Sequence, residues 1–68
     1  MILINELKGI MVSKGYTQAT LAKKLGMAER TLNLKLKKGV FGSDEIDMLI
    51  EILNIQHPEL IFYVKNLT

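Results

Sequence analysis

Two short apolar stripes meet at a glycine in the first half of this chain, and their spacing restricts the fold more than any other feature. Leu21, Ala22 and Leu25 share one face of a segment that ends at Gly26. After Met27 and Ala28, Leu32 and Leu36 stand four apart on one face of a second segment, which ends at Gly39. Helices joined by so short a turn must approach closely, so the inner position, Ala22, must be small. The turn residue four places later must tolerate positive φ, and it is Gly26. Leu21, Leu25 and Met27 fill the space beneath the turn, and Leu32 closes it from the second helix. Arg30, Asn33, Leu34 and Lys37 lie on the opposite face, which is left free of the core.

The rest of the chain reads as further helix. Leu3, Leu7, Ile10 and Met11 fall at helical spacing and predict a first helix over about 3–14, with Gly15 able to supply a left-handed end. Thr17 is a good N-cap for the second helix, about 18–25, because its hydroxyl can accept from a first-turn N–H that has no other partner. The third spans about 28–38. Its last turn holds Lys35, Lys37 and Lys38, where a helix favours cations. Phe41 is expected to be buried. Ser43 is the expected cap of a fourth helix over about 44–54, with Asp44 and Glu45 in its first turn. Ile46, Leu49, Ile50 and Leu53 form that helix's core stripe, widened by Met48 and Ile52. A short helical turn can begin at Pro58. The final apolar run, Leu60 to Val64, has no period that separates strand from buried helix. Its Ile, Phe, Tyr and Val lean it slightly towards a strand. The expected fold is therefore all-α: a single domain over 1–68, a small bundle of four to five helices, with a C-terminal strand as an alternative for the tail at 58–68.

Size and composition limit the chemistry. At 68 residues without cysteine, the chain has one small core and no disulfide to reinforce it. No apolar run approaches the ~20 residues of a membrane helix. The opening Met1-Ile2-Leu3-Ile4 is too short for a signal-peptide core, and a cytoplasmic protein is expected. A lone His57 without cysteine offers no usual zinc ligand set. No histidine is near Ser13 or Ser43 in sequence, and Gly39-Val40-Phe41-Gly42 lacks the lysine and threonine of a phosphate loop. Neither an enzyme nor a cofactor is expected.

Charge is divided instead. Residues 1–39 hold eight Lys or Arg against Glu6 and Glu29, a balance of +6. Residues 40–68 hold Lys65 against Asp44, Glu45, Asp47, Glu51 and Glu59, a balance of −4. A basic half beside an acidic half suggests a directed field with a polyanion as the natural partner, although small proteins also divide their charges by chance.

Gln18, Ala22, Gly26 and Leu32, with Leu21 and Leu25 between them, stand at the spacing of the helix-turn-helix in Cro/repressor-type regulators of phages and bacteria. The chain resembles that family over about residues 3–55, with the helix-turn-helix at 18–37. The resemblance implies a lambda-repressor-like fold and a DNA-binding transcriptional regulator of phage or prophage type. By position it implies that Ala28, Glu29, Arg30, Asn33 and Leu34 face base edges. Thr17, Gln18, Lys35, Lys37 and Lys38 would meet the DNA backbone. The chemistry suits several of these roles. Arg30 can bind guanine O6 and N7 with two hydrogen bonds, and Asn33 can pair with adenine. Glu29 could accept from a cytosine amino group, but it is better explained as a first-turn anion or a partner for Arg30 or Lys37. Two positions depart from the pattern. Ala28 stands where the family often has a capping Ser or Thr, and Leu34 is apolar on an otherwise polar face.

Leu34 can meet a thymine methyl or belong to a protein-binding surface. The alternative expectation is thus a helix-turn-helix modulator or antirepressor that docks on a partner repressor. Dimers of such proteins read half-sites about 34 Å apart. A homodimer seam here would fall on Leu60, Phe62, Tyr63 and Val64. The competing expectation is that this run folds back onto the protein's own core.

Overall fold

The computed structural model describes residues 2–62. It holds five helices and, among the described residues, no strand: α1 Ile4–Ser13, α2 Gln18–Leu25, α3 Glu29–Lys38, α4 Ser43–Leu53 and α5 Glu59–Phe62. The all-α bundle expected from the sequence is the one observed. α2 packs on α3 and on α4, and α1 packs on α5.

Each helix buries the face its spacing predicts. α1 contributes Leu7 and Met11, α2 Leu21, Ala22 and Leu25, α3 Leu32 and Leu36, and α4 Leu49 and Leu53. Phe41, between α3 and α4, closes the core with Ile61 and Phe62 of α5. Ile46, Ile50 and Ile52 pack at the core margin, while Met48 stays on the surface of α4. Among the described residues no polar or charged residue is buried. The core is therefore held together by apolar contact alone.

The α2–α3 connection follows from its residues. Gly26 takes the left-handed conformation, φ 74°, at the end of α2. The Met27 N–H then donates to the Ala22 carbonyl at 3.0 Å, which turns the chain back beneath α2. At the other end of α2, Thr17 Oγ1 accepts from the Thr20 N–H at 3.1 Å. Thr20 Oγ1 accepts from the Thr17 N–H at 2.9 Å, so the cap is reciprocal.

One cap differs from the sequence expectation. Ser43 is the first residue of α4 rather than its cap, and Gly42 takes the cap position. The Gly42 N–H donates to Glu45 Oε1 at 2.9 Å, so a side chain one turn into the helix does the capping. α3 starts at Glu29 with Ala28 as an extended cap that offers no side-chain acceptor. The Ala28→Ser variant is expected to stabilise the fold by about 1 kcal/mol, because serine adds that acceptor without altering the backbone. Urea unfolding followed by circular dichroism checks this as a midpoint shift with unchanged slope.

The C-terminal run is the largest correction within the described residues. Residues 59–62 are a helical turn, not a strand. Pro58 presets the first turn, and its carbonyl accepts from the N–H groups of Ile61 and Phe62 at 3.0 and 2.8 Å. The Ile61 carbonyl accepts from the Leu3 N–H at 2.9 Å, tying α5 to the entry of α1. Phe62, a candidate for either a dimer seam or a fold-back, is 3% exposed in the protein's own core, as the fold-back reading expects. Leu60 remains exposed. Tyr63 and Val64 lie outside the described residues.

Candidate nucleic-acid interface

α3 is amphipathic in a way that separates support from presentation. Leu32 and Leu36 anchor it, at 0% and 2% exposure, and everything on the far side is open. Ala28, Glu29, Arg30, Asn33, Leu34, Lys37 and Lys38 are all exposed. Side chains one turn apart on this face, Arg30 with Asn33 or Leu34, and Asn33 or Leu34 with Lys37, line up along the helix. The structure thus gathers the five residues expected at base edges onto one helix and its N-cap. Its last turn carries the cations.

Thr17 and Gln18 stand at the N-terminus of α2, where the helix dipole and first-turn N–H groups favour an anion. Thr17 is exposed and Gln18 is half-buried. The Thr17 hydroxyl is already engaged with Thr20, at 3.1 Å between their oxygens. What the turn offers a phosphate is chiefly backbone N–H and the Gln18 amide.

The three lysines of α3 are not equivalent. Lys37 and Lys38 make no ion pair among the described residues. Lys35 Nζ lies 3.0 Å from Glu45 Oε2 and 3.1 Å from Glu45 Oε1. Their side chains are 31% and 24% exposed, so the pair is only partly solvated. The Gly42 backbone N–H, and then Lys35, hold the Glu45 carboxyl below the usual carboxylate range. A carboxyl that ionises more readily folded than unfolded stabilises the fold above its unfolded pKa. That contribution is lost as pH falls through the lowered folded pKa.

Glu45 is the one residue of this region whose role the spacing did not reveal. Ten positions separate it from Lys35, beyond the reach of any helical-neighbour rule. The Gly42-Ser43-Asp44-Glu45 order, a cap residue with glutamate three later, was the available signal.

Other features lie away from α3. A groove of about 360 Å³ runs between α1 and the α4–α5 connection, floored by Ile10, Leu53, Ile55 and Ile61, with Glu6, Lys14 and His57 also lining it. No α3 residue lines it. His57 pairs with Glu59 at 3.6 Å in an exposed loop setting. Among the described residues no helix is long and apolar enough to cross a membrane, and no cluster of three or more His, Cys, Asp or Glu is placed to hold a metal ion.

The family model described as "Protein of unknown function (DUF739)" matches residues 4–66, nearly the whole chain. No curated protein and no solved structure matches it.

Proposed function

We propose that this chain, which belongs to the DUF739 family of proteins of unknown function, is a sequence-specific DNA-binding transcriptional regulator. In this reading α3 enters the major groove as it does in the Cro/repressor-type proteins that the sequence resembles. The supporting observation is a helix anchored by Leu32 and Leu36 whose whole outer face, from Ala28 to Lys38, is exposed and rich in cations. Ala28, Glu29, Arg30, Asn33 and Leu34 face the base edges. Arg30 has the strongest claim to read a base, because its guanidinium matches guanine in two hydrogen bonds. Lys37, Lys38, Thr17 and Gln18 meet phosphates and set the register.

The test is binding to the DNA upstream of the protein's own gene, followed by fluorescence anisotropy across a salt series, with a scrambled duplex as control. The expected result is a steep loss of affinity with salt and a preference of at least ~10³ for the native sequence. Steep salt dependence without preference removes the sequence-specific part of the proposal.

A second reading has one observation in its favour. Leu34 is 51% exposed in the middle of the α3 face, and Val40 just beyond the helix is 64% exposed. Exposed apolar side chains there suit a protein partner, such as a repressor that this chain would modulate. Absence of DNA binding at low salt transfers the proposal to that partner, and the cognate repressor becomes the next ligand to titrate.

A further inference from the structure

We propose that Glu45 is a positioning residue for the base-reading helix. It holds Lys35 back from the DNA backbone and uses that ammonium to set how the last turn of α3 sits on α4. The inference rests on the DNA reading above.

Sequence position alone groups Lys35 with Lys37 and Lys38 as phosphate contacts. The geometry separates it. Both oxygens of Glu45 lie within 3.1 Å of Lys35 Nζ, and one of them also accepts from the Gly42 N–H at 2.9 Å. A single carboxylate therefore ties together the last turns of α3, the backbone of the α3–α4 connection and the first turn of α4. To reach a phosphate, Lys35 would have to exchange one anion for another. It would also leave an uncompensated carboxylate beside the polyanion. Staying on Glu45 avoids both costs, and the neutral pair then adds nothing to counterion release.

The pair supplies what the core cannot. Leu32 and Leu36 hold α3 by apolar contact, which is strong but non-directional. A charge-assisted contact to a carboxylate that the Gly42 N–H holds in place tethers one side of α3, and it restrains rotation of α3 about its own axis. Rotation is the motion that carries Asn33 and Leu34 away from base edges. Loss of the pair should therefore lower the preference for the native sequence without removing a phosphate contact.

The test compares the double variant Lys35→Met/Glu45→Gln with Glu45→Gln and Lys37→Ala by anisotropy on native and scrambled duplexes across a salt series. Circular dichroism confirms that each variant is folded. The double variant removes both charges of a neutral pair, so it should leave the salt slope unchanged and cut the native-over-scrambled ratio by about two- to fivefold, the scale of a partly exposed ion pair. Glu45→Gln keeps an acceptor for Gly42 but releases the lysine charge. Its slope should steepen by up to about 0.9, while Lys37→Ala flattens it by a similar step. If the double variant flattens the slope as Lys37→Ala does, Lys35 is a phosphate contact and the proposal fails. An unchanged ratio in the double variant, or an unchanged slope in Glu45→Gln, also overturns it. Wild-type protein without sequence preference is a different failure, since it removes the DNA reading before any variant is compared.

Discussion

Leu32→Ala is expected to lower stability by about 2–5 kcal/mol. Leu32 is 0% exposed and is the residue through which α3 closes the space beneath the Gly26 turn. The removed methyl groups leave a cavity between α2, α3 and α4 that a small core cannot collapse to fill. A domain of this size has only a few kcal/mol in reserve. Each kcal/mol is worth about 4–8 °C of melting temperature in a domain this small, so the midpoint should fall by ten degrees or much more. Thermal melting by far-ultraviolet circular dichroism reads it directly. Leu34→Ala is the matched control: two positions along the same helix, half-exposed, it should stay within about 0.5 kcal/mol of wild type. Equal losses from the two would mean that α3 is not seated through Leu32.

Arg30→Ala is expected to have the opposite character, leaving stability intact and weakening recognition. Arg30 is exposed and makes no ion pair among the described residues, so the fold loses nothing when it is shortened. On the native duplex the cost should be about 1–3 kcal/mol, roughly five- to 150-fold in affinity. The loss should be concentrated at one base position, where the four bases become nearly equivalent. Lys37→Ala should instead weaken every sequence alike, through loss of one phosphate contact. Binding to a panel of single-base variants of the native duplex separates the two patterns. Matching patterns from Arg30→Ala and Lys37→Ala would remove Arg30 from the base-reading set.

These two substitutions also mark how far the sequence could be read. The burial of Leu32 and the exposure of Arg30 were both legible, because 3.6-residue periodicity assigns opposite faces without any knowledge of partners. The bounds of α2 were legible too, since Thr17 and Gly26 start and stop it by local chemistry. Short-range signals of this kind do not depend on what the helix packs against.

The ambiguous stretches were those where local preference is weak or contradicted. Ser43 has the better capping side chain, yet Gly42 caps α4, because Glu45 reaches back to its N–H. Ile61 and Phe62 favour strand by type, yet they sit in a helical turn. There, burial against the core and the bond from Leu3 to the Ile61 carbonyl outweigh intrinsic propensity.

The sequence by itself determined the first four helices, the face each of them buries and the cation-rich side of α3, since all three are properties of neighbours within about four positions. Only the tertiary structure decided that Phe62 belongs to the protein's own core, and that Lys35 faces a carboxylate ten residues away. Those outcomes depend on which surfaces meet in space. A chain's local periodicity sets what each helix can bury, while the packing of α2 on α3 and α4, and of α5 on α1, sets which charges and which rings come within reach of one another.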